Sequence, residues 1–347
     1  MQQQEIKHIV ILAADGVMSS QITGVMDFFM ICNRYWQVRN GGAEYNLFNV
    51  TVVSASGKNL QCSSNIILPA QDATSVATPD AVFITGGVSY DQTTLADYYH
   101  KLSPLMPILI KWHKQQLPIC AFCSSTFVLA ELGLLDGKQA TSVWWLANLF
   151  QQLYPAIELR LDQLVVNDEN IYTAGATTSY LSLCLALVSL LTDQQIATQI
   201  AKIMLVEPNR ASQLSYMSLQ TFEQHSDTLV NQIQKWMSHN IASPISLDTI
   251  AEKFAITKRT LNRRFKRALN DTPVSYLQRM RVEAAKRLLE SSDLTIEQIV
   301  YEVGYEDVSS FRKLFMEIAE LSPKAYRDKF HSGFGINIGD YQRSSAH

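Results

Sequence analysis

Residues 246–270 read SLDTIAEKFAITKRTLNRRFKRALN. Leu247, Ile250, Ala251 and Phe254 recur at i, i+3, i+4 and i+7, the spacing that aligns one face of an α-helix. Ile256 sits in the turn that follows, and Thr257 stands as N-cap of a second helix anchored by Leu261 and Phe265. Lys258, Arg259, Asn262, Arg263, Lys266 and Arg267 are left on the outward face. The pattern is a helix-turn-helix with a basic second helix. One such helix is more often a solvated surface than a binding face, so the weight of the reading falls on what flanks it.

Downstream, TIEQIVYEVGYEDVSSFRKLFMEIA (295–319) repeats the plan with an offset of 50 residues between Lys258 and Val308. Thr295 and Gln298 have capping-box spacing, Ile299 and Val303 face inward, and Gly304 ends the helix. Asp307 caps the next helix, which keeps Phe311, Leu314, Phe315 and Ile318 inside and turns Ser309, Arg312 and Lys313 outward. Between the two units, Thr272 as cap and Pro273 in the first helical position predict a helix over 273–290. Its length is about 27 Å at 1.5 Å per residue. Two basic helices held apart on that scale can enter successive major-groove turns, about 34 Å apart, on one face of B-DNA.

Charge divides the chain in the same place. Residues 1–234 hold 11 Lys and Arg against 18 Asp and Glu, a balance of −7, and residues 235–330 hold 17 against 13, a balance of +4. The overall −3 therefore hides two modules with different partners, the basic one suited to a polyanion. With 47% hydrophobic and 18% charged residues among 347, the chain is long enough for two or three packed domains, and collagen-like or disordered classes are excluded. YLSLCLALVSLL (180–191) is the longest strongly apolar stretch and is too short for a membrane span, so no membrane partner is expected. No basic leader precedes the first apolar run and the five Cys are odd in number, which points to free thiols in the cytoplasm.

The first two hundred residues alternate strand and helix. HIVILAA (8–14), LFNVTVVSAS (47–56), DAVFITGG (80–87) and PICAFC (118–123) are apolar or β-branched runs separated by helical patterns. That alternation predicts a parallel sheet covered by helices on both faces. LDQLVVNDENIYTAG (161–175) reads as strand, turn, strand, and 176–205 as one or two buried helices. Ligands on such sheets bind at the carboxyl ends of strands, which makes Gly86, Gly87 and the turn at Cys123 pocket candidates. VEPNRASQLSYMSLQ (206–220) has no sustained period and opens a linker placed at 206–227. The expected organisation is a sheet domain over 1–205, this linker, a helical domain over 228–330 and a tail over 331–347.

SLDTIAEKFAITKRTLNRRFKRALNDTPVSYLQRMRVEAAKRLL and IEQIVYEVGYEDVSSFRKLFMEIAELSPKAYR resemble the DNA-binding domain of the AraC/XylS regulators. The resemblance puts DNA contacts on Arg259, Asn262 and Arg263 of the first recognition helix and on Ser309, Arg312 and Lys313 of the second. Arg267 joins them from the outward face of the first. Relatives usually carry Gly after each recognition helix, where this chain has Asn270 and Glu320. HIVILAADGVMSSQITGVMDFF, PDAVFITGG, PICAFCSSTFVLAELGLLDGKQATSVWW and VEPNR resemble the ThiJ/PfpI branch of the glutamine-amidotransferase-like superfamily. That implies a flavodoxin-like α/β fold for the first domain, and its joining to an AraC-type domain resembles the GlxA-type regulators.

Enzymes of that superfamily use a Cys on a strained strand-to-helix turn, a His, and often an acidic residue of the first helix. The resemblance puts Cys123 on the turn, Asp27 in the acidic position, and Ser124 at the start of a helix whose amides face a ligand. An anionic or carbonyl-bearing ligand follows from that. The sequence departs where a base would stand: Ser124 follows the Cys directly, and Val143 replaces the His of the stretch Thr141-Ser142-Val143-Trp144. A thiol without an activator is a poor nucleophile, so no catalytic residue is assigned. Cys120 and Cys123 form a C-x-x-C, but Cys120 belongs to a strand, which argues against thioredoxin-like redox work. The seven His are scattered, and neither a metal nor a cofactor is expected. The reading is a DNA-binding transcription regulator, a homodimer whose further partners are a small-molecule effector and RNA polymerase. The competing class is a cysteine-dependent hydrolase or amidase with a DNA-binding tail.

Overall fold

The apolar run after Ile6 forms β1, Lys7–Ala13, and Ile9 to Ala13 are buried on both of its faces, which places the strand inside a sheet and not at an edge. The computed structural model describes residues 5–42, 44–207, 212–216, 225 and 227–331. They fall into two compact units, Met1–Gln213 and Leu214–His347. Most of the expected linker, 208–211, 217–224 and 226, and the tail from 332 lie outside the described residues.

After β1 the first unit adds α1 (Ser19–Arg39), β2 (Phe48–Ser54), β3 (Leu60–Gln61), β4 (Ile67–Leu68), β5 (Gln71–Asp72) and β6 (Ala81–Ile84). Then come α2 (Gln92–Leu102), α3 (Met106–Lys114), β7 (Ile119–Phe122), α4 (Thr126–Glu131), β8 (Gln139–Ala140), α5 (Ala147–Leu153) and β9 (Glu158–Leu159). The hairpin of β10 (Val165–Asp168) and β11 (Ile171–Ala174) precedes α6 (Tyr180–Leu191) and α7 (Gln194–Ile203). The main sheet runs β10-β11-β7-β6-β1-β2-β5, parallel throughout except for β10 at its edge. The chain leaves β1 toward β2 and returns past it through β6 to β7. Right-handed crossovers therefore put α1 on one face and α2 and α3 on the other. α1, α6 and α7 pack together, and a Cβ on Gly24 would stand 2.5 Å from the Tyr180 hydroxyl, so α1 and α6 meet where only glycine fits. Phe29, buried beneath α1, meets Phe48 at 4.9 Å and Phe83 at 6.2 Å between ring centroids.

The second unit is helical among the described residues: α8 (Thr228–His239), α9 (Leu247–Lys253), α10 (Lys258–Leu269), α11 (Pro273–Ser291), α12 (Ile296–Glu302), α13 (Val308–Ala319) and α14 (Pro323–Phe330). Thr257, Thr272, Thr295 and Asp307 each accept a backbone N–H as N-cap, and Thr295 with Gln298 completes a capping box. Asn270 and Glu320 end the recognition helices in the left-handed conformation, at φ 54° and 55°. Two separate apolar cores form. Val230, Ile233, Ile250, Leu261, Phe265, Tyr276 and Leu277 make one, and Val282, Ala285, Leu289, Ile299, Phe311, Phe315 and Tyr326 make the other. α11 supplies both, its first half to the first core and its second half to the second. At 19 residues it is about 28 Å long.

Arg281 lies midway along α11, between the two cores, and is buried. Its Nε and Nη2 donate to the carbonyls of Ile241 and Ser243 at 3.2 and 2.8 Å, in the loop between α8 and α9. The same guanidinium lies 5.2 Å from the ring centroid of Tyr305, in the turn between α12 and α13. A Cβ on Gly304 would meet the Ile241 carbonyl at 2.5 Å, so the turns of the two lobes touch here. Burial lowers the guanidinium's pKa, and Tyr305 opposes that. Arg281→Met removes the donors while keeping the apolar stem. We expect a loss of about 2–3 kcal/mol in chemical denaturation, from two carbonyls left without a charged partner.

Candidate nucleic-acid interface and ligand cavity

α10 carries six cations and no acid: Lys258, Arg259, Arg263, Arg264, Lys266 and Arg267. Its N-cap aims the first turn outward, and burial of Leu261, Phe265 and Leu269 leaves Lys258, Arg259, Arg263, Lys266 and Arg267 exposed. Asn262 is half-buried, its amide donating to the Lys258 carbonyl at 2.9 Å. Arg267 is pulled sideways: Asp227, the N-cap of α8, takes Arg264 at 2.9 Å and Arg267 at 3.4 Å. Burial alone would raise the Asp227 carboxyl, but the amides of Val230 and Leu229 and the Arg264 guanidinium outweigh it and hold it below the usual carboxylate range. Among the described residues Arg259, Arg263 and Lys266 make no ion pair, and Lys266 Nζ donates to the Asn270 carbonyl at 3.1 Å, which leaves Arg259 and Arg263 the cations of this helix most available to a ligand.

α13 is built on the same plan with less charge. Ser309, Arg312 and Lys313 are exposed, while Phe311 and Phe315 are buried. Arg312 Nη2 donates to Glu297 at 3.0 Å, and in the first helix-turn-helix lobe Lys258 pairs with Asp248 at 2.6 Å. Asp248 and Glu297 are the second residues of α9 and α12, so each scaffold helix presents one carboxylate to its recognition helix. Both pairs are exposed and contribute little to stability, but they orient the cations. A groove beside α13 is lined by Ser309, Arg312, Lys313, Met316 and Lys324. Lys324, on α14, was not among the sequence-derived contacts. It reaches this face only because the second core folds α14 back beside α13.

In the first unit the strand-to-helix turn after β7 is strained. Cys123 has φ +60°, a conformation that costs an ordinary residue about 1–2 kcal/mol. Its N–H donates to the Gly175 carbonyl at 2.7 Å, and its carbonyl accepts the Ser142 hydroxyl at 3.2 Å. The thiol is buried and faces the Thr177 hydroxyl at 3.7 Å. Burial pushes its pKa up, outweighing the Thr177 and Ser124 hydrogen bonds that pull it down. Cys120 is buried inside β7, its thiol also raised by burial, and all five cysteines are free. Val143 is fully buried. Among the described residues no group of three or more His, Cys, Asp or Glu is placed to hold a metal ion, and no helix is long and apolar enough to cross a membrane.

The expected pocket residues part company here. Gly86, Gly87, Cys123 and Ser124 are brought together: Ser124 Oγ donates to the Gly87 carbonyl at 3.0 Å, and a Cβ on Gly86 would stand 2.4 Å from that hydroxyl. Asp27 is exposed on α1. The α1 residue beside the turn is instead Gln21, fully buried, whose Oε1 accepts the Gly86 N–H at 2.7 Å. Its amide nitrogen is buried without a hydrogen-bond partner among the described residues. The packing of glycines and hydroxyls leaves little space at the thiol. A cavity of about 350 Å³ opens beside it, between α2, α4 and α5, and of the five expected residues Ser124 is the one on its wall. The helix expected from Ser124 starts at Thr126 as α4 and has only six residues.

Gln213 falls within the expected linker, and the structure buries it against the turn. Its Nε2 donates to Thr141 Oγ1 at 3.1 Å and the Ser142 carbonyl at 3.0 Å, and a Cβ on Gly175 would meet its Oε1 at 2.6 Å. The residues that hold the Cys123 backbone thus also hold the last residue of the unit. Sequence periodicity has no access to this, because one side chain in an aperiodic stretch carries the contact.

Residues 7–190, more than half of the chain, match the DJ-1/PfpI family model. The chain belongs to the DJ-1/PfpI family. Residues 250–329 match a helix-turn-helix domain, of AraC type. The chain is similar over 289 residues, at 26% identity, to the HTH-type transcriptional regulator CdhR of Pseudomonas aeruginosa, covering 81% of this chain and 82% of that one. It is 22% identical over 283 residues to the HTH-type transcriptional regulator GbdR of the same species, covering 81% and 75%. Among solved structures, DJ-1beta of Drosophila melanogaster aligns with 58% of this chain and all of its own, at 21% identity and a TM-score of 0.48.

The DJ-1/PfpI unit's turn gives a direct expectation. Since burial raises the Cys123 pKa, iodoacetamide at pH 7 should alkylate Cys123 at least about tenfold more slowly in the folded chain than in urea, as read by peptide mass spectrometry. Rapid labelling of the folded chain would mean an activated thiolate.

Proposed function

We propose that this chain is a sequence-specific, DNA-binding transcription regulator. The observation that carries the reading is the pair of helix-turn-helix lobes built on one spacer helix, each turning a recognition helix outward. The naming of CdhR and GbdR as transcriptional regulators supports it. In this reading Arg259 and Arg263 read bases or phosphates in one major-groove turn, with Asn262 beside them. Ser309, Arg312 and Lys313 do so in the next, and Arg267 contributes a phosphate contact, weakened by its bond to Asp227.

The DJ-1/PfpI unit is proposed as a sensing and pairing domain without catalysis, in a cytoplasmic homodimer. A thiol raised by burial and facing Thr177 supports the absence of catalysis over the hydrolase alternative. Met26 and Met30, exposed one turn apart on α1, support pairing of two copies. The covalent step from Gln213 to Leu214 offers a small-molecule effector a route to the helical unit, and RNA polymerase is the partner through which a bound regulator would act.

Selection of fragments from a random DNA pool by the full chain tests the reading. It should enrich one sequence in two copies, one for each half of a dimer. Affinity for it should fall about 10³–10⁵-fold between 50 and 200 mM salt if six to ten phosphates are neutralised. Arg263→Ala should cost about 1–3 kcal/mol on the enriched site and much less on random DNA. No enrichment, or an equal loss on both DNAs, would count against base reading.

A further inference from the structure

The cavity beside the elbow has a chemistry of its own. Twelve of the described residues line its 350 Å³; Glu131 is the one acidic side chain among them, and none of the twelve is Lys, Arg or His. Three aromatic rings form the wall around that carboxylate: Tyr99 from α2, Phe127 from α4 and Tyr154 after α5. Their positions are set by packing. Phe127 and Tyr154 meet edge to face at 6.1 Å, and the Tyr154 hydroxyl donates to Glu131 Oε2 at 2.7 Å. Burial first, and Glu131 second, raise the pKa of both tyrosines, so the phenols stay neutral and the net charge on the wall is that of one carboxylate.

The opposite, polar end offers little to an anion. The Ser124 hydroxyl is spent on the Gly87 carbonyl at 3.0 Å, the Ser89 hydroxyl faces the same carbonyl at 3.4 Å, and the Tyr98 hydroxyl is engaged with Thr85 at 2.8 Å. Donors already committed cannot neutralise a ligand carboxylate without breaking those bonds. Gln92 brings an amide to the wall, but no cationic side chain lines it, so an anionic ligand finds no counter-charge there. Aromatic faces carry negative quadrupole potential, and a carboxylate at their edge adds to it.

We propose that this cavity binds a small organic cation, an ammonium group with an apolar body, held by Glu131 and the faces of Tyr99, Phe127 and Tyr154. This rests on the reading of the first unit as the sensing domain. The cation enters between α2, α4 and α5, and its apolar body covers Phe127 and Val128. Ser124, on the cavity wall, is bonded to Cys123, whose carbonyl is held by Ser142, the residue whose own carbonyl holds Gln213.

Titration calorimetry of the full chain, without DNA, tests the assignment with n-butylammonium and tetramethylammonium as probes, 1-pentanol as a neutral alcohol with one carbon more than either, and butyrate as the anion. Both cations should bind at least about tenfold more tightly than 1-pentanol, and butyrate should bind more weakly still. Glu131→Gln keeps an acceptor for Tyr154 and should weaken the cations about tenfold while leaving 1-pentanol unchanged, which also shows the fold intact. Tyr99→Leu should weaken tetramethylammonium more than 1-pentanol. Equal affinities for cation and alcohol, cation binding indifferent to Glu131→Gln, or no cation binding at all would overturn the assignment. The same preparation is assayed for DNA. DNA binding without cation binding defeats the cation site and leaves the regulator reading standing, and cation binding without DNA binding does the reverse.

Discussion

The helical unit depends on one buried guanidinium. Arg281 joins the loop before α9 to the turn before α13 through two carbonyls and one aromatic ring, at the point on α11 where one apolar core gives way to the other. Without it, the two small lobes would be joined by α11 and the close approach of Gly304 to the Ile241 carbonyl alone, and a helix of about 28 Å tolerates bending and twisting. Two recognition helices can read successive groove turns only if their separation and relative rotation are held, because a small angular error moves side chains off the base edges. The clamp supplies that rigidity from inside the protein, which leaves the outward residues of α10 and α13 free to serve the ligand.

The sheet unit shows the complementary economy. The left-handed backbone at Cys123 is maintained by Gly175 and Ser142, and in an enzyme such a turn would present a nucleophile. Here the thiol is enclosed and faces Thr177, the Ser124 and Ser142 hydroxyls beside it donate to backbone carbonyls, and the open volume lies one residue further on, at Ser124. The strained turn thus lies between the cavity and the end of the first unit, since Ser142 touches both the Cys123 carbonyl and Gln213.

Much of this is legible in the sequence, for physical reasons that also mark its limits. Runs such as HIVILAA are buried on both faces, and their unbroken apolar character announces a parallel sheet. The caps at Thr257, Thr272, Thr295 and Asp307 are local, set by side chain and amide three residues apart or fewer, and each can be read off directly. The two-residue strands β3, β4, β5, β8 and β9 are too short to carry a period. Asp27 satisfied an expectation about residue type on the first helix, yet helical phase exposes it and brings Gln21 to Gly86. Arg281, Gln213 and the Glu131 cavity escape a linear reading altogether. Each depends on partners distant in the chain, such as Tyr154, 23 residues from Glu131.

In the proposed function the two lobes read DNA together at fixed spacing. Guanine N7 methylation protection on a DNA site bound by the full chain measures this directly. Each copy of the site should show two blocks of protection about 10 base pairs apart, on one face of the duplex. A single protected block per copy, or two blocks half a turn apart on opposite faces, would contradict the account.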